Sequence, residues 1–229
     1  PEMALLEAGI LSTVVLFGGA RIPEPGTPAW AARTPAQKER LEANSRYYEV
    51  ARRFAALAST HSANSSGGKE FVIVTGGGPG VMEAGNRGAA DVGAVSIALN
   101  ITLPHEQAPN LFVTPELCFN FHYFAIRKMH FLLRARAMAI FPGGFGTLDE
   151  LMEALTLIQT GRMERDAGHP VRQGVLGRAD RFRLPGAGRH DRSGRRRPDL
   201  LCGDGGRGVG DHPRLLRPVS YTHLRAHET

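Results

Sequence analysis

Phe71–Glu83, FVIVTGGGPGVME, is the stretch that decides the fold. Phe71–Thr75 is a short β-branched and aromatic run with the composition of a buried strand. It meets Gly76-Gly77-Gly78-Pro79-Gly80 without a polar spacer, and a helix is predicted from Val81 to Val92. A strand that turns on glycine straight into a helix is the building unit of a parallel sheet covered by helices. The same grammar holds on both sides. Ser12–Phe17 is a β-branched run ending in Gly18-Gly19, and Ala137–Phe141 leads through Pro142-Gly143-Gly144-Phe145-Gly146 into a helix over Thr147–Gln159. Between these lie a helix over Pro35–Ser59, with Leu41, Tyr48, Ala51, Phe54, Ala55 and Ala58 on one stripe, a strand over Ala94–Leu99, and a helix over Phe119–Arg134. The expected class is α/β: a Rossmann-like three-layer fold, its parallel sheet covered by helices.

Composition narrows the function. Hydrophobic residues make up 42% of the 229, enough for a core, and mean hydropathy is −0.20. No run of about 18 apolar residues is present, so no membrane span is expected. The start lacks a signal-peptide pattern, and its Pro1 suggests a truncated beginning. Cys118 and Cys202 form neither a CxxC pair nor a disulfide framework, which fits a cytoplasmic protein. Net charge +6 would point to nucleic acid, but residues 1–165 carry 15 basic and 15 acidic residues. The excess belongs to residues 166–229, so no nucleic-acid partner is expected of the domain.

Three segments are expected. Residues 1–165 form a nucleotide-binding domain. Residues 166–218 are rich in Arg, Gly and Pro and lack helical or strand periodicity. Reading their possible codons one base later permits a hydrophobic strand and amphipathic helices, so this tail reads as frameshifted. Residues 219–229, VSYTHLRAHET, resemble the translation of a sequencing adapter. Such a chain is expected to leave a sheet edge uncovered and to fold poorly.

Two glycine-rich turns, Gly76–Gly80 and Gly143–Gly146, carry the chemistry. Glycine lets backbone N–H groups approach a ligand, and the helix start behind each adds partial positive charge, so phosphate is the natural occupant. Tight strand–helix turns without a ligand would look similar, but two in one small sheet favour a site. Neither is GxxxxGK[ST], which argues against P-loop hydrolysis of ATP or GTP.

PGGFGTLDE, Pro142–Glu150, resembles the PGGxGTxxE signature of the LOG family, the cytokinin-activating phosphoribohydrolases and their bacterial relatives. The family's upstream Arg-Lys pair is matched by Arg127-Lys128, with thirteen residues, Met129–Phe141, between it and Pro142. GGGPGVMEA is similar to its first glycine loop, and LNITLPHEQ to a segment presenting a ligand-contacting glutamate, here Glu106. The long Arg21–Asn44 insertion resembles the larger bacterial branch. The likeness covers about Leu11–Arg165. It implies an N-glycosidase that uses water and no cofactor or metal, splits AMP or a cytokinin riboside monophosphate into base and ribose 5-phosphate, and works as a homodimer. Relatives once carried a lysine decarboxylase label, but no pyridoxal-phosphate lysine site is recognisable. A non-catalytic nucleotide or cofactor carrier on the same fold is the alternative.

The candidate roles follow. Gly143, Gly144, Gly146 and Thr147 would hold the 5′-phosphate, with Gly77, Gly78, Lys128, Glu106 and Thr156 as further substrate contacts. Glu150 would serve the reacting sugar carbon, whose oxocarbenium-like transition state calls for negative charge and a positioned water. As an acid near a helix start it could also merely complement the dipole. Arg127, bidentate by nature, is the second catalytic candidate. Thr156 could equally be an ordinary helix residue, and Asp149 a helix-start acid. His105, His122 and His130 have no metal-ligand spacing. Phe119, Phe121, Phe124 and Phe131 are expected in the core or a dimer interface.

Overall fold

The computed structural model describes residues 1–102, 108–160 and, as backbone, 175–176. Six strands form one parallel sheet: β1 (Thr13–Phe17), β2 (Val72–Thr75), β3 (Ser96–Ile101), β4 (Cys118–Phe121), β5 (Ala135–Ile140) and β6 (Val175–Leu176). Their spatial order is β4-β3-β2-β1-β5-β6. The chain therefore winds outward from β1 to β4 and then returns to the other side of β1. The direction of winding reverses between β1 and β5, the place in an open α/β sheet where ligands commonly bind.

Strand residues alternate between two cores. Val14, Leu16, Ile73 and Ala139 pack on one face with Tyr48, Ala51 and Ala55 of α3 (Arg46–Ser66) and Val81 and Ala84 of α4 (Val81–Ala90). Val15, Phe17, Val74, Leu99, Met138 and Ile140 face the other way. They meet Leu5 of α1 (Glu2–Glu7), Phe131 of α5 (Phe124–Leu133), and Leu151 and Ala154 of α6 (Phe145–Gln159). With both faces covered, the central strands are mostly apolar, Val14–Phe17 and Val72–Val74 without a break. The three-layer α/β class expected from sequence is the fold observed.

Three local expectations need correction. The helix over Pro35–Ser59 is two helices, α2 (Pro35–Asn44) and then α3, with Ser45 between them. The Ser45 hydroxyl donates to the Glu42 carbonyl, closing α2, and α3 runs on to a left-handed Gly67. The helix over Phe119–Arg134 starts later. Cys118–Phe121 is instead β4, Leu99 pairing with Phe119 and Ile101 with Phe121. Phe-Asn-Phe has the two-residue period of a strand, and the open side of β3 supplies its partner. The last helix begins at Phe145 rather than Thr147, with Gly144 as its N-cap. Beyond Arg165, where no element is expected, Val175–Leu176 pairs with Met138 and Ala139.

Candidate functional site

Three turns interlock at the carboxyl end of the sheet. Phe141 N–H donates to the Phe17 carbonyl (2.8 Å), Gly19 N–H to Pro142 (2.9 Å), and Val81 N–H to Gly19 (3.3 Å). Gly80 has φ +69°, and a Cβ there would lie 2.5 Å from the Gly19 oxygen. Only glycine meets both conditions.

The two glycine turns differ in character. Gly143, Gly144, Phe145 and Gly146 are exposed, and Phe145 is 91% accessible. Thr147 is buried, and its side chain fills the space where a Cβ on Gly143 would sit. The first intrahelical bond of α6 is Leu148 N–H to Gly144 (3.2 Å). The amides of Phe145, Gly146 and Thr147 thus open the helix without intrahelical acceptors. Around the Gly144 and Gly146 Cβ positions nothing lies within 4 Å. This is an accessible anion-binding geometry.

The Gly76–Gly80 turn faces inward. Gly76, Gly77 and Gly78 are buried. Gly77 N–H donates to Thr75 Oγ1 (2.9 Å), and the Gly77 and Gly78 carbonyls accept from Asn110 Nδ2 (3.0 and 3.1 Å).

Beside these turns sits a buried ion pair. Arg127, 8% exposed, projects from α5 and donates through Nε to the Leu99 carbonyl of β3 (2.6 Å). Its Nη1 meets Glu150 Oε1 at 3.4 Å, and its guanidinium lies 5.1 Å from the centre of the Phe131 ring. The Glu150 side chain is only 13% exposed. Burial pushes its carboxyl up to about 7, with Arg127 pulling the other way. Because α6 begins at Phe145, Glu150 lies in its second turn, beyond the reach of first-turn dipole complementarity.

One residue along, Lys128 turns outward and pairs with Asp149 (3.1 Å) and Glu153 (2.9 Å). These contacts hold its ammonium group protonated more firmly than usual. Asp149 is accordingly a partner of Lys128, zipping α5 to α6. Thr156 is exposed, and its hydroxyl donates to the Met152 carbonyl of its own helix. Glu106 lies outside the described residues. His130 stands 3.7 Å from Glu2, and among the described residues no cluster of His, Cys, Asp and Glu could hold a metal ion. No helix among them is long and apolar enough to cross a membrane.

Sequence reasoning missed a polar network behind the first turn. Asn86 and Thr75 are both fully buried; Thr75 Oγ1 donates to Asn86 Oδ1 (2.7 Å), and Asn86 Nδ2 to Ser96 Oγ (3.0 Å). Asn110 Nδ2 also reaches Asn86 Oδ1 (3.0 Å). The available signal was Asn86 itself, a polar residue on the apolar face of its helix. Asn110 carried none, because its partners lie far away in the chain.

Residues 82–171 match the family model described as "Possible lysine decarboxylase". The match takes in Arg127, Lys128, the Gly143–Thr147 turn and Glu150, and it starts just after the first glycine turn. Similar solved structures include a structural-genomics target at 22% identity and a TM-score of 0.41, covering 64% of this chain and 69% of that one. Another is a molybdenum cofactor binding protein from Rippkaea orientalis (20%, TM-score 0.40, 63% and 71%). A third is a molybdenum cofactor carrier protein from Chlamydomonas reinhardtii (19%, TM-score 0.41, 64% and 72%). No curated protein matches the chain.

Proposed function

We propose that this chain, which resembles the LOG family and whose residues 82–171 match the family model, hydrolyses the N-glycosidic bond of nucleoside 5′-monophosphates. The observation that carries the reading is the nearly buried Glu150 beside Arg127, one helical turn beyond an open, glycine-lined helix start. A carrier needs an anion site; it has no use for a buried carboxyl held near neutrality.

In this reading the 5′-phosphate lies on the amides at the start of α6, with Gly144 and Gly146 leaving room for it and the Thr147 hydroxyl, packed against Gly143, close by. That anchoring brings the ribose toward Glu150. Ionised Glu150 takes a proton from water as the water oxygen bonds to C1′. The electron pair of the C1′–N bond leaves with the base, which gains a proton, and ribose 5-phosphate remains. The negative charge of Glu150 also stabilises the cationic character at C1′. Arg127 holds the carboxylate in place and limits how far its proton affinity rises. Lys128, committed to Asp149 and Glu153, supplies positive potential rather than a direct bond. No cofactor enters this scheme. The cytokinin ribotide as substrate, the cytoplasmic location and the homodimer remain parts of the same proposal.

The test is incubation of the chain with AMP, isopentenyladenosine monophosphate and adenosine, with base and ribose 5-phosphate followed by chromatography. Base release from the two phosphates and little from adenosine is the expected result. Nucleotide binding without any release would favour the carrier.

A further inference from the structure

We propose that Asn110 and the Gly76–Gly80 turn form a positioning device for the Arg127–Glu150 pair rather than a second ligand cradle. The activity readout rests on the hydrolytic reading above; the geometric argument does not. Three of the turn's polar groups are taken up inside the fold. Gly77 N–H is taken by Thr75, the Gly77 carbonyl accepts from both the backbone (2.7 Å) and the side chain of Asn110, and the Gly78 carbonyl accepts from that side chain too. Pro79 has no N–H to offer. The exposed Gly143–Gly146 turn has none of these internal commitments to a neighbouring segment's side chain.

What the inward turn does instead is bear on Arg127. A Cβ on Gly76 would lie 2.5 Å from a terminal nitrogen of Arg127 and 2.8 Å from the Met82 sulfur. The guanidinium is therefore bounded by the Leu99 carbonyl, by Glu150 and by the backbone of Gly76. Asn110 fixes the third boundary. It is itself anchored to the buried Asn86 (3.0 Å), and its Oδ1 accepts from Phe112 N–H (3.1 Å). Two N–H bonds serve three acceptors, so loss of the side chain releases the Gly78 carbonyl, leaves the Gly77 carbonyl held by the Asn110 backbone N–H alone, and loosens the wall behind Arg127.

Asn110→Ala removes the clamp. Gly76→Ala leaves the clamp and pushes directly on Arg127. Both are read by the titration of the Glu150 carboxyl carbon by NMR, assigned through its loss in Glu150→Gln, and by kcat and KM for AMP. The charged groups facing Glu150 among the described residues are Arg127 and Lys128 on α5 and Asp149 and Glu153 on α6. Displacing Arg127 removes the foremost of the charges that hold the carboxyl down, so Glu150 should titrate higher in both variants. A misplaced catalytic pair should lower kcat by about ten- to a hundredfold, while KM for AMP stays near the wild-type value. A raised KM with kcat and titration unchanged would make the turn a ligand cradle and overturn the proposal. A lower melting temperature with both readouts unchanged would reduce Asn110 to scaffolding and overturn it equally. If Asn110→Ala fails to fold, Gly76→Ala decides. If the wild type releases no base, the hydrolytic reading fails, and the NMR titration still reports on positioning.

Discussion

Glu150 owes its proton affinity chiefly to burial, and this has opposite consequences for activity and stability. Its carboxyl titrates at about 7 in the fold, against an ordinary value of 4.5. If the ionised form accepts the water proton, kcat/KM for AMP should climb with pH through about 7 and level above it. A flat profile from pH 5.5 to 8.5 would remove Glu150 from the rate equation. For stability the folded value lies above the unfolded one, so the fold favours the neutral acid. That stability is fully present below about 4.5 and is lost as pH rises to about 7, of order 3 kcal/mol at most. Calorimetry at pH 5 and pH 8 should show wild-type stability falling across the interval more than that of Glu150→Gln. Equal falls would mean that the carboxyl is better solvated than its 13% exposure implies. At this scale, Arg127 and Glu150 were legible in sequence only through the family resemblance, in its Arg-Lys pair and its PGGxGTxxE signature. Their surroundings were not, because Leu99 acts through its backbone carbonyl and Asn110 through contacts far away in the chain.

The elements explain where a phosphate would sit. The α6 start combines unpaired amides with open space at Gly144. Gly144→Val places a branched side chain over those amides but meets no protein atom where its Cβ would stand. Binding of AMP, measured by calorimetry, should be lost by about tenfold or more, with the circular dichroism spectrum unchanged. Retained affinity would move the phosphate elsewhere. β1, β2 and α4 were readable because β-branched runs ending in glycine leave few alternatives, and β5 because an apolar run meets Pro142-Gly143-Gly144. β4 was not, because the aromatic-rich run into α5 has no breaker and its strand state depends on pairing with β3. The α2–α3 break at Ser45 was equally hidden, since helix-compatible residues lie on both sides.

At the scale of the whole molecule, α5 carries an apolar stripe that the described residues leave exposed. Ile126, Met129 and Leu133 are 47%, 50% and 55% exposed, flanked by Tyr123 and Phe124 at 70% and 53%. Such a contiguous patch on a helix that also carries Arg127 suits an interface beside the site. Analytical ultracentrifugation should find a dimer that Ile126→Glu combined with Met129→Glu converts to monomer; a wild-type monomer at micromolar concentration would contradict the expected homodimer. The sheet order was legible only as a class, since the reversal between β1 and β5 is a property of the assembled sheet. Arg127 and Glu150 meet because α5 and α6 pack in the same core on one face of that sheet.

The most direct measurement of the central claim compares wild type with Glu150→Gln in AMP cleavage at pH 8, where the carboxylate is ionised. Gln keeps the shape and an acceptor for Arg127 but can neither take a proton nor carry charge. The account predicts base release by the wild type, a loss of about a hundredfold or more in kcat for the variant, and AMP affinity close to wild type. A variant that cleaves AMP as fast as the wild type would contradict it.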